Sequence, residues 1–391
     1  MSQVIVETAM KIRPIWHLLL ICALSGCLDP YPTSDIGENV DALVIDGFIN
    51  TSDQSAIIKL SKTLPLDTTA TPDVVNDAEV TIQTEDGSSF SLPGEGNGQY
   101  QASSLSINFN TRYRLSIVLP SGASYLSDYI DLMQTPEIDS VTFGEGRDGI
   151  NIYVNTHDHT GNSQYYKWDY VETWEYVASF FSNYKLVDGQ AYDRTTQERI
   201  YNCWSTNEST KINVGNTVRL SDDVISNFLI ASQAAGSSQL SKKYSINVFQ
   251  RSLSKEEYDF WESLRKTTET VGGLFDAMPY AVTGNIHAVN GNGIAIGYFG
   301  GGEVKEKRIF IGLADLPYSV VSKSKRAPCN QDDMRSTDLA GLPNLSSSSD
   351  VLVDAIYVPF IGIVGYTYTS TSCADCRTYG GTNVMPEFWE E

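Results

Sequence analysis

Short runs in which apolar and polar residues alternate dominate the first third of the chain. Seven of them lie between residues 42 and 132, with the sequences ALVIDGF, AIIKLSKT, AEVTIQT, SFSLPG, GQYQAS, RYRLSIVL and SYLSDYIDL. In the third run, Val80 and Ile82 alternate with polar neighbours, a period of two that is typical of strands with one buried face. Seven strands within about 90 residues predict an antiparallel, immunoglobulin-like β-sandwich over residues 41–134.

Turn-forming residues separate these runs where a sandwich requires hairpins. Asp86-Gly87 follows the third run, and Pro120-Ser121-Gly122 follows the sixth. Residues 133–139, MQTPEID, are typical of a linker. Beyond it, the clearest strand-like pieces are GINIYVNT, SQYYKWDYVETWEYVASFF, KYSINVFQ, IAIGYF and KRIFIGL. We therefore predict a mostly β protein with a larger β-rich domain over residues 137–391.

One segment of this second domain has the pattern of a helix. Ser254 and Glu257 form a capping box, in which Ser254 accepts from the Glu257 amide and the Glu257 carboxylate reaches back. Apolar residues then recur at helical spacing, and Gly272-Gly273 closes the segment. The pattern predicts a helix near residues 255–270, packed on a sheet. From residue 321 onward we expect loops and strands pinned by cysteines.

The amino-terminal segment has the pattern of a bacterial lipoprotein signal. Basic residues precede an apolar run over residues 15–24, which is shorter than the roughly 20 residues needed to span a bilayer. The run ends in Leu-Ser-Gly-Cys, which matches the lipobox in which the cysteine becomes the first mature residue and carries lipid. We predict a signal peptide over residues 1–26 and acylation, including palmitate, at Cys27. An ordinary signal peptide with an incidental cysteine is the alternative, and Met10 is a second candidate start of translation.

Charge and composition restrict the partners of the mature chain. The sequence has 27 basic and 48 acidic residues, and removal of Glu7, Lys11 and Arg13 with the signal leaves 25 − 47 = −22. This charge argues against nucleic acid and anionic lipid headgroups as partners. Residues 27–40 are polar, rich in turn formers and aperiodic, which predicts a lipidated tether. The protein is expected to be anchored to a membrane by its lipid.

Four cysteines remain once Cys22 leaves with the signal and Cys27 is acylated. An even number in an exported chain predicts two disulfides among Cys203, Cys329, Cys373 and Cys376, with three possible connectivities. We favour Cys373–Cys376 together with Cys203–Cys329. Zinc binding at Cys-x-x-Cys would need a second close pair, and a redox motif would need a strand-to-helix unit that opens with it.

The sequence contains no recognised catalytic motif for acyl transfer, metalloproteolysis, phosphate binding or calcium binding. His157 and His159 could share one metal ion on a strand, but no further ligand is marked nearby, so a polar hairpin turn ending at Gly161 is favoured. The aromatic stretch over residues 165–184 either offers a stacking platform for sugars or packs in a core, and core packing is favoured. We predict no catalytic residue, no cofactor and no metal site.

Several segments together resemble a known family. They are the lipobox, LVIDGFI, DAEVTI, GQY, YYKWDYVETWEY, CW, GNIHAVNGNGIAIGYFGGGEVKEKRIFI and the terminal CADCRTYGGTNVMPEFW. This set is similar to an uncharacterised lipoprotein family of Bacteroidota, a domain of unknown function in the DUF four-thousand series. The resemblance spans essentially the mature chain and implies an outer-membrane lipoprotein, often encoded beside TonB-dependent receptors. The family defines no catalytic residues that could be carried over.

The resemblance leaves the orientation and the partner as expectations. Surface-exported members usually carry clustered acids after the lipidated cysteine, whereas here Asp29 stands alone; the cell surface is still favoured over the periplasmic leaflet. The favoured function is a non-enzymatic accessory module that docks on an outer-membrane barrel such as a TonB-dependent receptor, with residues 182–200 as the expected contact. The alternatives are a surface glycan or peptide hydrolase using paired carboxylates, an adhesin, or an envelope-assembly factor.

Overall fold

The computed structural model describes residues 42–64, 73–269, 282, 284–290, 293–321, 329–345 and 349–389. The chain divides into two compact units, and the larger one, Ala42–Thr63 with Thr71–Glu391, holds every element described below. The smaller unit, Met1–Asp41 with Leu64–Ala70, lies outside the described residues except for Leu64. The predicted signal peptide, Cys27 and the tether therefore lie outside the described residues.

The described elements are mostly strands. In chain order the strands are β1 (Ala42–Asn50), β2 (Ser55–Lys62), β3 (Glu79–Thr84), β4 (Ser89–Leu92), β5 (Gly94–Gly96), β6 (Gln99–Ala102), β7 (Tyr113–Val118), β8 (Ser124–Ser127), β9 (Ile138–Glu145), β10 (Gly149–His157), β11 (Tyr165–Val177), β12 (Tyr184–Val187), β13 (Gln190–Asp193), β14 (Asn202–Glu208), β15 (Asn213–Asn216), β16 (Val224–Ala234), β17 (Lys243–Ser252), β18 (Ile286–Ala288), β19 (Ile294–Gly302), β20 (Val304–Gly312), β21 (Arg335–Asp338), β22 (Asp350–Val358) and β23 (Gly362–Ser370). The α-helices are α1 (Lys255–Glu269), α2 (Tyr318–Val321), α3 (Leu342–Leu345) and α4 (Thr371–Ala374). Within the described residues, no helix combines the length and apolar character that crossing a membrane requires.

The first sandwich contains two five-stranded sheets, in the orders β19-β1-β2-β6-β5 and β18-β8-β7-β3-β4. All seven predicted runs form strands, and Gly87 and Gly122 occupy the predicted turns with φ of 93° and 85°. Two edge strands come from much later in the chain, because β18 pairs with β8 and β19 pairs parallel to β1. The boundaries 41–134 therefore omit the two strands that complete this sandwich, since local periodicity does not reveal which distant edge a strand joins.

The side chains between these two sheets form one apolar core. Val80 and Ile82 are both 1% exposed, as their alternation predicts. Tyr113 and Leu115 from β7 are fully buried beside them, and Phe299 on the late strand β19 is equally buried. Residues that lie far apart in the sequence thus share this core.

The second sandwich packs the sheet β16-β10-β9 against the sheet β14-β11-β17-β20, with β15 also pairing with β11. Its core contains Tyr166 and Trp168, which are fully buried, so the favoured core packing of the aromatic stretch is confirmed for these two rings. Only Glu303 separates β19 from β20. One nearly continuous stretch of chain is consequently an edge strand of both sandwiches.

The predicted helix is present as α1, next to the strands β11, β15 and β19. Ser254 Oγ accepts from the Glu257 amide at 3.1 Å, which confirms the first half of the capping box. The second half was wrong, because the Glu257 carboxylate accepts from Trp261 Nε1 at 3.3 Å and lies against Gly300 on β19. A Cβ atom at position 300 would lie 2.7 Å from the carboxylate, so any larger residue there would force the buried Glu257 side chain to shift. The predicted closing pair, Gly272-Gly273, lies outside the described residues.

A small C-terminal subdomain, which consists of the hairpin β12–β13, α3 and the sheet β21-β23-β22, completes the fold. Leu342, Leu352 and Tyr366 are the buried residues of its core cluster, and the rings of Tyr184 and Tyr366 are 5.0 Å apart. This core is far smaller than those of the two sandwiches.

Candidate functional site

The four cysteines form two disulfides, Cys203–Cys376 and Cys329–Cys373. The favoured pairing, Cys373–Cys376 with Cys203–Cys329, was therefore wrong. Cys373 lies in α4 and Cys376 begins a 3-10 turn, and Asp375 between them is extended, with φ −119° and ψ 103°. This kink lets the two neighbouring cysteines reach different partners. Asp333 lies near Cys329 and Cys373, but their bonded sulfurs offer no thiolate to a metal.

The Cys203–Cys376 disulfide attaches the C-terminal segment to the second sandwich. Cys203 on β14 is fully buried, and Tyr176 donates to the Cys376 carbonyl at 3.1 Å. Arg377 contacts both oxygens of the Asp375 carboxylate at 2.9 and 2.7 Å. Burial would raise the pKa of Asp375, but the hydrogen bonds from Arg377 outweigh it and hold the pKa below its ordinary value.

The turn after β10 is held by Asp158, whose carboxylate accepts from the amides of Thr160, Asn162 and Ser163 at 2.9–3.0 Å. Burial raises the pKa of this carboxyl, and these hydrogen bonds together lower it below its ordinary value. Gly161 ends the turn with φ 68°. The polar turn ending at Gly161 is thus confirmed, and both of its histidines remain near the surface. It is not the expected hairpin, because the strands on its two sides, β10 and β11, lie in different sheets.

A cluster of buried charges lies where α1 meets β11 and β17. Lys167 Nζ contacts the two carboxylate oxygens of Asp169 at 2.5 and 2.6 Å and lies 4.8 Å from the centre of the Trp261 ring. Burial lowers the pKa of Lys167 and raises that of Glu257, while Arg251 and Lys167 limit the rise at Glu257. The charged groups therefore contact one another and the indole ring of Trp261 on α1.

The same cluster connects the two sandwiches. The guanidinium of Arg251, on β17, lies 4.5 Å from the centre of the Phe48 ring on β1. Because α1 contacts β11 and β19, and Glu257 packs against Gly300, the helix and this cation–π contact join one sandwich to the other. We assign the cluster a structural role at this junction.

A cavity of about 460 Å³ lies between the second sandwich and the C-terminal segment. Its described lining residues are Glu175, Asn202, Trp204, Lys242, Lys243, Gly312, Met385 and Trp389. The Glu175 carboxylate forms an ion pair with Lys242 and accepts from Asn202 at 3.0 Å. Glu175 is the one carboxylate among these described lining residues, so the cavity does not present the pair that the hydrolase hypothesis requires.

The most exposed apolar residue, Phe360, lies with other exposed apolar residues at the turn between β22 and β23, which we call the apolar tip (residues 357–363). Phe360 is fully exposed at 105%, Ile361 is 74% exposed and Tyr357 is 68% exposed. Ile363 on the following strand is 41% exposed. The tip contains no charged residue, although the chain as a whole carries −21.

The backbone of the apolar tip is also unusual. Phe360 has φ 69°, in the left-handed region that glycine and asparagine adopt at lower cost. A bulky residue there costs on the order of 1 kcal/mol, and full exposure returns no burial energy to the fold. The exposure of this tip was not predicted from the residue pattern. Its signal is the uncharged run AIYVPFIGIVGY with Pro359 and Gly362 in its centre, which is typical of a hairpin.

The segment expected to contact a barrel, residues 182–200, belongs to the same subdomain as the apolar tip. It forms the hairpin β12–β13, and Ser182 Oγ donates to the Leu352 carbonyl of β22 at 2.6 Å. Val187 and Tyr192 of this hairpin are about half exposed.

Known proteins give little functional information beyond the family. No curated protein matches the chain. Solved structures with some similarity include a two-domain fibronectin type III segment of chicken tenascin (11% identity, 55% of this chain and 93% of that one, TM-score 0.16). The chicken interferon gamma receptor alpha chain (8%, 54% and 88%, TM-score 0.15) and a DUF3823 family protein from Bacteroides ovatus ATCC 8483 (14%, 54% and 91%, TM-score 0.13) are others. We base no argument on similarities this low.

A family model described as "Domain of unknown function (DUF4249)" matches residues 29–308. This range includes both sandwiches and ends within β20, before the described part of the C-terminal subdomain that carries the apolar tip. The resemblance to an uncharacterised family of the DUF four-thousand series is thereby confirmed. Since the match covers well over half of its length, the chain belongs to the DUF4249 family.

Proposed function

We propose that the protein is a lipid-anchored outer-membrane lipoprotein that docks through its apolar tip on an outer-membrane barrel such as a TonB-dependent receptor, and that it acts by binding and not by catalysis. The lipobox at Cys27 supports the anchor. The observation that carries the docking proposal is the full exposure of Phe360 at a strained backbone position.

The energetics of the apolar tip favour a protein partner. Burying one Phe or Ile side chain fully is worth about 1.5–3 kcal/mol, so Phe360 and Ile361 together can anchor a small interface. Exposed aromatic residues that fill a partner's pocket are the usual centres of such interfaces. Because the tip is uncharged, it brings none of the chain's negative charge into the contact.

The anchor supports a partner in the same membrane. The composition of residues 27–40 predicts a tether of 14 residues, whose root-mean-square length, at roughly 5–6 Å times the square root of the residue number, would be about 20 Å. A barrel in that membrane is then met at high effective concentration, so a modest interface suffices.

Affinity purification of the tagged, full-length lipoprotein from gently solubilised outer membrane tests the proposal. We expect near-stoichiometric recovery of an outer-membrane barrel with the wild-type chain and its loss with the double variant Phe360→Ser/Ile361→Ser. The matched control is Tyr318→Ser, which removes an aromatic ring that is 86% exposed elsewhere.

Equal recovery of the barrel by the double variant would show that the apolar tip is not the contact. Recovery of the lipoprotein alone, together with turnover of a defined polysaccharide or peptide by the purified protein, would replace docking by hydrolysis. Binding of the non-acylated Cys27→Ala chain to neutral lipid vesicles through Phe360 would identify the bilayer, not a barrel, as the occupant.

A further inference from the structure

The two histidines of the polar turn meet at one point. His157 ends β10, His159 follows two residues later, and their Nε2 atoms are 2.7 Å apart. The ring centroids are 4.1 Å apart, closer than they would be if the two Nε2 atoms pointed straight at each other, and the ring planes are nearly perpendicular. The rings are therefore inclined to each other, and the two Nε2 atoms form their point of contact.

Asp139 fixes the chemical state of the first ring. Its Oδ2 atom is 2.6 Å from His157 Nδ1, and because a carboxylate only accepts, Nδ1 carries the hydrogen. In the neutral ring the Nε2 atom of His157 then holds the free lone pair. A carboxylate on one ring nitrogen is the arrangement that orients metal-bound histidines and raises their basicity.

A β-bulge aims Asp139 at this ring. Between β9 and β10 the register pairs Asn155 with Ser140 and Thr156 with Ile138, which leaves Asp139 as the extra residue. Bulges of this kind redirect a side chain and are common next to functional sites. Lys307 Nζ, from β20, donates to the carbonyls of Ile138 and Asp139 at 3.0 and 2.8 Å. The position of the carboxylate is thus held by three strands.

We propose that His157 and His159 form a binding site for a transition-metal ion such as Zn²⁺, Cu²⁺ or Ni²⁺, with Asp139 as the positioning residue of His157. Two imidazole nitrogens suit these ions better than Mg²⁺ or Ca²⁺, which prefer oxygen ligands. Both Nε2 atoms serve as ligands, and water or a donor group of another molecule completes the coordination. This inference departs from the sequence-based prediction of no metal site and is independent of the proposed docking.

Metal titration of the full-length protein tests the site. The chain is purified in mild detergent without a histidine tag, stripped of metal, and titrated with ZnCl₂ by calorimetry and with CuSO₄ by electron paramagnetic resonance. We expect a Zn²⁺-binding event that disappears in His157→Asn/His159→Asn, and a copper spectrum with hyperfine structure from two nitrogens. Asp139→Asn should weaken binding about tenfold without removing it.

His287→Asn is the matched control, because His287 is also exposed and lies 3.2 Å from a carboxylate, that of Asp128, but has no second imidazole beside it in the described structure. Its Zn²⁺ isotherm should equal that of the wild type. Zn²⁺ should also raise the melting temperature of the wild type and not of the double variant. Absence of wild-type binding at millimolar Zn²⁺, or an unchanged isotherm in the folded double variant, overturns the site and leaves a His–His hydrogen bond.

Discussion

The first sandwich and the C-terminal subdomain are stabilised in different ways. The core cluster of the first sandwich contains eighteen buried apolar residues among those described, sixteen of them from nine of its ten strands. The core cluster of the subdomain has three, and the Cys329–Cys373 disulfide attaches one end of its chain to α4. Its most exposed apolar side chain, Phe360, points into solvent. One region uses its apolar residues for folding, and the other leaves them available for contact.

The two regions also differ in how far the family model covers them. Both sandwiches lie almost wholly within residues 29–308, whereas of the subdomain only the hairpin β12–β13 does, and β21, β22 and β23 follow this range. Each sandwich has a large core of its own, which suits a rigid support. A thin, cross-linked subdomain can change its exposed residues at little cost to stability, which suits a region that selects a partner.

The largest expected effect on stability comes from removing a core ring on the late strand β19. Phe299→Ala should destabilise the protein by about 3–5 kcal/mol, because it leaves a cavity in the first sandwich. Ile294→Ala on the same strand should cost less than about 0.5 kcal/mol, since its side chain is 49% exposed. Urea unfolding of both variants measures the difference. Equal, small effects would mean that β19 is not part of the first core.

The second expected effect should be confined to the subdomain. Cys329→Ala/Cys373→Ala removes a cross-link between residues 44 positions apart, which is worth about 2–4 kcal/mol. We expect faster hydrogen exchange in β22 and β23, while β7 in the first sandwich serves as the internal control. If exchange in β7 accelerates equally, the two regions fold as one unit and the contrast between them is lost.

Residue patterns predicted the first region better than the second. Val80, Ile82 and Leu115 alternate with polar neighbours, and this local signal was enough to identify the strands and their buried faces. The pairing of β19 with β1 could not be predicted, because it depends on an edge more than 200 residues away. Long-range pairing is determined by packing and not by local periodicity.

The candidate sites also depend on long-range contacts that the local sequence does not reveal. The disulfide partners were wrong because proximity in sequence favoured Cys373–Cys376, whereas the extended Asp375 turns the two cysteines apart. The pair of histidines was visible as His-x-His, but Asp139 on another strand became relevant only through the bulge in β9. Exposure of Phe360 likewise follows from the size of the subdomain, which has no opposing sheet to cover the turn among its described elements.

The third prediction concerns the pH dependence of stability where Glu257 of α1 contacts β19 of the first sandwich, away from the apolar tip. Burial raises the pKa of Glu257 above its ordinary value of 4.5, so the folded state holds this proton more tightly than the unfolded state. The contribution of Glu257 to stability is therefore complete below pH 4.5 and is lost as the pH rises through the folded pKa. Glu257→Gln should remove this loss, so its free energy of unfolding falls less with rising pH than that of the wild type.

Glu256→Gln is the control, because Glu256 is the exposed neighbour on the same helix. Urea unfolding at several pH values between 4 and 7 gives the slopes, and hydrogen exchange locates the change in α1 and β19. Identical slopes for wild type and Glu257→Gln would show that the buried carboxyl is not titrating in this range.

The smallest change in stability should accompany the largest change in binding. Phe360→Gly places a residue that tolerates φ 69° at the apolar tip, so it should leave stability unchanged or raise it by up to about 1 kcal/mol. Phe360→Asn, which also tolerates this conformation, should behave alike. Under the proposed docking, both variants should fail to recover the barrel in affinity purification, because they lack the ring that is proposed to fill the partner's pocket. Thermal unfolding and recovery are measured on the same preparations. A Phe360→Gly chain that is less stable than the wild type would mean that the ring supports the fold, and one that still binds would assign docking to another surface.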